Sequence, residues 1–215
     1  MWGSAGRKGL DGPGGQKVEI VEDRVFKSLS DTVTPQGVLC LIRMQNRRLE
    51  GLLKTKGTPL LMILEDLQDP GNLGTIIRTG EGAGVTGVIL SRTSVDVYNP
   101  KVIRSTMGSI YRMPVLYVDS IAEEVLPLLK EREIRTYAAH LKGKHTYDRE
   151  NYEKGTAFFI GNEGNGLTDE LTAQADTLIR IPMEGSVESL NAAMASGILM
   201  YEPADSVRNN KLNIK

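Results

Sequence analysis

Residues 60–85 read LLMIL, then EDLQDPG, then NLGTIIRTGEGAGV: an apolar run, a polar turn containing a Pro-Gly pair, and a segment of helical spacing. An unbroken apolar run suits a strand buried on both faces, because a strand with one solvated face would alternate apolar and polar residues. In the segment that follows, Asn72, Thr75, Arg78 and, loosely, Glu81 recur every three residues. That spacing predicts a polar stripe along one side of a helix near the strand ends, while Ile76 and Ile77 face the sheet. A polar stripe beside a cleft suits an anionic substrate, although an exposed helix face with an accidental arginine has the same pattern. Gly80, Gly82 and Gly84 come where the helix should close, so helix-end turn chemistry is their expected role.

The same rhythm repeats outward from this stretch. Short apolar runs at 87–90, 115–118, 136–139, 157–160 and 178–181 read as further buried strands, and 72–83, 100–111, 121–131 and 187–201 have helical spacing. Asn99-Pro100 supplies a cap and a first-turn proline, Ser120 a second cap, and Pro203 is expected to end the last helix. Strand and helix in alternation predict an α/β fold: a mostly parallel sheet with helices on both faces, binding its ligands at the carboxyl ends of the strands.

Composition narrows the function classes. The chain has 215 residues, 40% of them hydrophobic and 25% charged, which suits one core and a fragment of a second domain. No apolar run approaches the ~18 residues of a membrane span, and no secretory signal pattern is present. A cytoplasmic protein without a membrane partner is expected. Cys40 is the only cysteine, so a disulfide framework within the chain is excluded, and its place in Val38-Leu39-Cys40-Leu41-Ile42 predicts a small buried apolar residue. With His140 and His145 the only histidines, no metal site is expected.

Residues 1–16 are glycine-rich and aperiodic and should be disordered. Residues 17–58 read as a strand, a short helix near 25–29 and an apolar run, too little to fold alone, followed from Arg43 by a polar connector. Residues 59–206 form the regular domain, and 207–215 a tail. The net charge of −1 is low for a nucleic-acid binder, but the cations cluster. Arg43, Arg47, Arg48, Lys54 and Lys56 form one group, and Arg92, Lys101, Arg104 and Arg112 a second. Either group suits phosphate contacts, or a solvated linker and an ordinary helix face.

Two later segments carry chemistry. Residues 158–167, FFIGNEGNGL, run an apolar strand into a loop with three glycines, where the backbone can approach a ligand closely. The spacing G-x-x-G-x-G is not the dinucleotide fingerprint G-x-G-x-x-G. Residues 179–202 then bring a strand, a loop and a helix together. In that helix Leu190, Met194, Ile198 and Tyr201 form an apolar stripe read as core, while Ala192, Ala193, Ala195, Ser196 and Gly197 permit close packing. Ser189 and Asn191, in what should be its first turns, can reach a ligand or cap the helix.

Taken in order, DPGNLGTIIRT (69–79), IGNEGNGL (160–167) and IPMEGSVESLN (181–191) resemble the three signature motifs of the SpoU (TrmH) family of the SPOUT superfamily, S-adenosylmethionine-dependent RNA 2′-O-methyltransferases. The resemblance extends over about residues 60–202 and includes STMGSIYRMP at 105–114. It implies a deep carboxyl-terminal trefoil knot, an exception to the rule against threaded chains. It also implies a homodimer with its active sites at the subunit interface. By this resemblance Gly161, Ile181 and Leu190 hold S-adenosyl-L-methionine, mainly through backbone groups, with Glu163 and Met183 nearby. Arg78 is the central catalytic residue, and Asn72, Glu163, Ser189 and Asn191 position it or the ribose. Arg43, Arg47, Arg48, Lys54, Arg78, Arg104 and Arg112 are the candidates for RNA contact. Family members carry a small RNA-binding domain ahead of the catalytic one, and residues 17–42 resemble only its final part, so 17–58 is expected to be a remnant plus linker. That remnant favours ribosomal over transfer RNA as the partner. A catalytically silent RNA-binding protein is the alternative, and a dinucleotide-dependent oxidoreductase, resting on glycine loops of the wrong spacing, is a remote one.

Overall fold

The computed structural model describes residues 10–11, 17–30, 32–44, 47–55 and 57–212, and for 10, 11, 17 and 204–212 the backbone alone. The chain divides into two compact units, Met1–Gln45 and Asn46–Lys215. In the first, β1 (Leu10–Asp11) pairs antiparallel with β2 (Lys17–Val18), and α1 spans Asp23–Leu29. A backbone ladder needs no apolar periodicity, so Leu10 and Asp11 are ordered where a disordered tail was expected; residues 1–9 and 12–16 lie outside the described residues. Cys40 is exposed, contrary to expectation, as are its neighbours Val38, Leu39, Leu41 and Ile42. The physical reason is size: no described side chain of this unit is buried, because so few residues cannot enclose a core.

The second unit opens with α2 (Leu49–Leu52), where the sequence suggested a polar connector. Leu52 and Leu53 are buried beneath the sheet, and Gly87 makes room for Leu52, whose Cδ2 would lie 2.4 Å from an added Cβ. There follow β3 (Leu60–Leu64), α3 (Pro70–Ala83), β4 (Gly87–Ser91), α4 (Pro100–Ser105), β5 (Val115–Val118), α5 (Leu126–Glu131), β6 (Arg135–Ala139), β7 (His145–Thr146), β8 (Thr156–Ile160), α6 (Asp169–Gln174), β9 (Thr177–Arg180) and α7 (Ala192–Leu212). The helical spacing at 100–111 divides into α4 and a 3-10 turn at Ser109–Tyr111, and a π-helical turn at Ile121–Val125 precedes α5. The short β7 and α6 were not legible as periodic runs.

The strands form a seven-stranded sheet in the order β5-β4-β3-β8-β6-β9-β7, parallel at every pairing. Side chains alternate between faces, and each face has its own helices. Leu60, Met62, Leu64, Phe158 and Ile160 pack with Leu73, Ile76 and Ile77 of α3 and Leu199 and Met200 of α7. Leu61, Ile63, Ala157 and Phe159 pack with Leu52, Val125, Leu129 and Leu171 on the other side. Helices thus cover both faces, as the alternation predicts. Strand order turns back between β3 and β8, and the loops leaving those two carboxyl ends are therefore adjacent.

The capping chemistry matches the sequence. Asn99 accepts a bond from the Lys101 N–H, Ser120 from that of Glu123, and Gly84 ends α3 in the left-handed conformation at φ 83°. Pro203, however, lies inside α7 and does not end it. Its missing N–H removes one helical bond, and burial of Leu199, Met200 and Pro203 itself holds the helix across the gap. Residues 207–212 continue that helix, and 213–215 lie outside the described residues.

Helix α3 is clamped against α4 at Gly74, where an added Cβ would meet Ser105 Cβ at 2.7 Å and the Val102 carbonyl at 2.9 Å. Gly74→Ala is expected to destabilise the protein by about 1–3 kcal/mol through overpacking, and adding Ser105→Ala should not restore it, because Cβ and backbone remain in the way. Urea unfolding of the two variants checks this.

Candidate active site

Three loops meet at the carboxyl ends of β3 and β8. The first enters α3, whose start is built by Asp69 and Pro70: the Asp69 carboxylate accepts the Asn72 N–H at 2.8 Å, and Pro70 occupies the first turn. The second is the glycine loop after β8. Asn162 and Gly166 exchange backbone bonds of 3.0 and 2.9 Å, and the Asn162 side chain accepts the N–H groups of Gly164 and Asn165. Gly161 is required here, since a Cβ on it would lie 2.1 Å from the Gly166 carbonyl carbon. The third loop follows β9, and Asn191 closes it by capping α7 through the N–H groups of Ala193 and Met194.

Glu163 and Asn72 join the three. The Glu163 carboxylate accepts the backbone N–H of Gln68 at 3.0 Å, that of Asp69 at 2.9 Å and the Asn72 side-chain amide at 2.9 Å. Asn72 in turn accepts the Asn191 amide at 2.9 Å. Partial burial pushes the Glu163 carboxyl up, but the bonds from Asn72, Gln68 and Asp69 outweigh it and hold the group below the ordinary carboxylate range. A carboxylate facing the N–H groups at a helix start is also favoured by the helix dipole.

Of the expected site residues, Asn72, Glu163 and Asn191 are thus in direct contact. Arg78 lies on the same helix as Asn72, about 9 Å further along at ~1.5 Å per residue; it is exposed and has no ion-pair or hydrogen-bond partner among the described residues. Ser189 is exposed in the third loop and not in a helical turn, because α7 begins at Ala192. Ile181, Met183 and Leu190 are half-buried around that loop. No hydrogen bond among the described residues engages residues 182–190, so their backbone groups are open to a ligand.

The arginines divide by partner. Arg48, Lys54 and Arg104 are exposed, as is Arg43 in the first unit, while Arg47 is half-buried and Lys56 lies outside the described residues. Arg112, expected among the phosphate contacts, is instead engaged by Glu81 through Nε and, at 2.9 Å, Nη2. Arg92 is likewise paired with Asp119 at 2.8 Å. Of the apolar stripe read as core, Met194 is 61% and Tyr201 40% exposed and Leu190 and Ile198 are half-buried, while α7 buries Ala193, Ser196, Leu199 and Met200 instead. Small side chains at 193 and 196 let that face approach α3 and the sheet.

Sequence reasoning missed the braces beneath the site. Asp66 sits at φ 54°, its N–H on Ser91 and its carbonyl on the Asn162 amide at 2.9 Å, and Gln68 donates to the Asp66 carboxylate at 2.7 Å and the Thr93 carbonyl at 2.9 Å. Only the Asp69-Pro70 helix-start signature was available as a signal. A cavity of about 400 Å³ beyond β3, β4 and β5 is lined by Glu65, Asp66, Asp119 and Glu170. This charge disfavours a pyrophosphate at the usual dinucleotide position.

With this geometry, comparison with known proteins is decisive. Residues 59–201 match the model of the SpoU rRNA Methylase family. The chain belongs to that family. It is 31% identical over 188 residues to the 23S rRNA (guanosine(2553)-2′-O)-methyltransferase RlmP of Bacillus subtilis, covering 85% of this chain and 70% of that one. The AdoMet-bound rRNA methyltransferase of Sinorhizobium meliloti superposes with a TM-score of 0.76 at 30% identity, over 86% of this chain and 70% of that one. The SpoU methyltransferase AviRb of Streptomyces viridochromogenes, in complex with AdoMet, does so with 0.70 at 30% identity, over 76% and 63%. The family is one of AdoMet-dependent RNA methyltransferases. The residues present fit that cofactor: an open backbone loop at 182–190 offers donors and acceptors to a purine edge, and half-buried Ile181, Met183 and Leu190 offer apolar cover. Among the described residues no group of three metal-ligating side chains occurs, and no helix is long and apolar enough to cross a membrane.

A carboxyl held below its unfolded pKa stabilises the fold fully above the ordinary carboxylate range, and this contribution is lost as pH falls through the lower folded value. Glu163→Gln is therefore expected to be less stable than the parent at pH 7 and to show a flatter acid limb below about pH 4. Urea titrations at pH 7 and pH 3 measure both, and an unchanged pH slope would count against the network.

Proposed function

We propose that this protein transfers the methyl group of S-adenosylmethionine to a ribose 2′-hydroxyl of ribosomal RNA. The observation that carries the reading is Asn72: its amide links the loops after β3, β8 and β9, and it shares a helix with Arg78, which has no partner among the described residues. The name of the Bacillus subtilis relative, a 23S rRNA 2′-O-methyltransferase, supports the ribose and the ribosomal RNA.

Gly161, Ile181, Met183 and Leu190 would hold the cofactor, largely through backbone groups. When bound, it supplies a methyl already activated by its sulfonium. What remains for the protein is to align the hydroxyl with that methyl, worth up to about 7–11 kcal/mol, and to assist loss of its proton. A guanidinium stays protonated in a protein, so Arg78 acts here as a clamp: it holds the adjoining phosphate and stabilises the oxyanion that develops as the O–H bond breaks. Glu163, acidified by three donors, is a weak base, and the proton passes to water. Ser189 and Asn191, at the mouth of the third loop, position the ribose.

The exposed stripe of α7, with Met194 and Tyr201 beside the surface of α3, supports a homodimer that covers this face, with Arg78 reaching RNA at the junction. Threading of α7 through the preceding loops into a trefoil knot is the family's topology and suits its small residues. Arg43, Arg48, Lys54 and Arg104 are the proposed phosphate contacts outside the site, with residues 17–45 as part of an RNA-capturing segment.

Incubation with ribosomal RNA and methyl-labelled S-adenosylmethionine, followed by mapping of 2′-O-methyl sites, tests this. Arg78→Ala is expected to lose about 10²–10³ in rate, and Arg78→Lys to recover little, since an ammonium cannot make a planar bidentate contact. Cofactor binding without incorporation into RNA would favour an RNA-binding protein instead.

A further inference from the structure

Arg78 and Glu81 stand three residues apart on α3. Oppositely charged side chains at that spacing on an exposed helix face pair with each other. They do not pair here. Both oxygens of the Glu81 carboxylate are taken by Arg112, one by Nε and the other by Nη2 at 2.9 Å. Arg112 reaches α3 from the end of the 3-10 turn Ser109–Tyr111, which Gly108 starts in the left-handed conformation at φ 89°. A planar fork matched to a carboxylate outcompetes a single contact from a neighbouring side chain on the same helix. The side-chain bond from Arg112, with a smaller one from the Ser109 hydroxyl, holds the Glu81 carboxyl down to about 2, so the competing charge is present at every working pH.

We propose that Arg112 is a positioning residue for Arg78: by occupying Glu81 it leaves the Arg78 guanidinium unpaired and free to engage the RNA. This rests on the methyltransferase reading above. It gives the second basic group a division of labour, with Arg104 exposed to phosphate and Arg112 turned onto α3 to neutralise the carboxylate three residues from the catalytic arginine. Without Arg112, Glu81 swings to Arg78, and the clamp must break that pair before it can hold a phosphate. An exposed pair of this kind lowers the competent fraction by roughly two- to fivefold.

The test is a double-mutant cycle on the full chain, read as kcat/KM for methyl transfer to ribosomal RNA. Arg112→Met is expected to lose roughly two- to fivefold, Glu81→Gln to stay at the parental rate, and the double variant to return to it. The loss in Arg112→Met should shrink with added salt, which screens an exposed pair. A double variant as impaired as Arg112→Met would overturn the proposal, because Arg112 would then act on RNA directly or only brace the fold. Full activity of Arg112→Met would overturn it as well. Arg112→Gln carries the same expectations should the methionine variant not fold. The side-chain Nε–H resonance of Arg78 gives a readout without RNA: it should shift in Arg112→Met and return in the double variant. If the parent methylates no RNA, the methyltransferase reading fails, and the resonance still decides whether Arg112 keeps Arg78 unpaired.

Discussion

The side-chain amide of Asn72 has one donor side and one acceptor side, and the site depends on both being used at once. Its nitrogen bonds to Glu163 in the loop after β8, and its oxygen receives Asn191, the residue that starts α7. An aspartate there would repel Glu163, and a leucine would leave both partners without their bonds. Because Glu163 also takes two N–H groups from the turn before α3, the carboxylate sets the distance between two loops that are over 90 residues apart in sequence. Hydrogen bonds of this charge-assisted kind are the stronger ones in proteins, and here they replace direct packing between loops.

The sheet makes that meeting possible. With β3 and β8 adjacent and parallel, their carboxyl ends open on the same side, and α3 and α7 pack against one another over the same face. Small residues along α7 permit the approach; Gly80 of α3, where an added Cβ would lie 3.4 Å from the Met200 sulfur, does so from the other helix. Met194 and Tyr201 of α7 are left outside, while Leu199 and Met200 are buried.

Charge is arranged locally, which the net value conceals. On α3 a cation without a partner among the described residues stands beside a neutralised carboxylate, while acidic side chains line the cleft beyond β4 and β5. An approaching polyanion therefore meets favourable charge on the α3 side and repulsion at the cleft, a form of steering that a chain near zero net charge can still supply.

Local pattern was enough for the alternation of strands and helices, the caps at Asn99 and Ser120, the turn at Gly84 and the three loop motifs, since each is written in residues close together in the chain. The readings of burial that failed concern what a segment meets. Cys40 and the stripe of Met194 and Tyr201 are as apolar as any core residue, yet one lies in a unit too small to enclose it and the other on the outer side of a helix whose small residues face inward. Arg112 has the same side chain as Arg78, and only the approach of Glu81 separates the paired guanidinium from the one with no partner among the described residues. Periodicity and motif spacing determined which elements form and where the three loops fall, because those depend on neighbours along the chain. Tertiary structure alone decided which face of α7 is buried, which arginine is free and how Asn72 joins three loops, because burial and hydrogen bonding depend on neighbours in space.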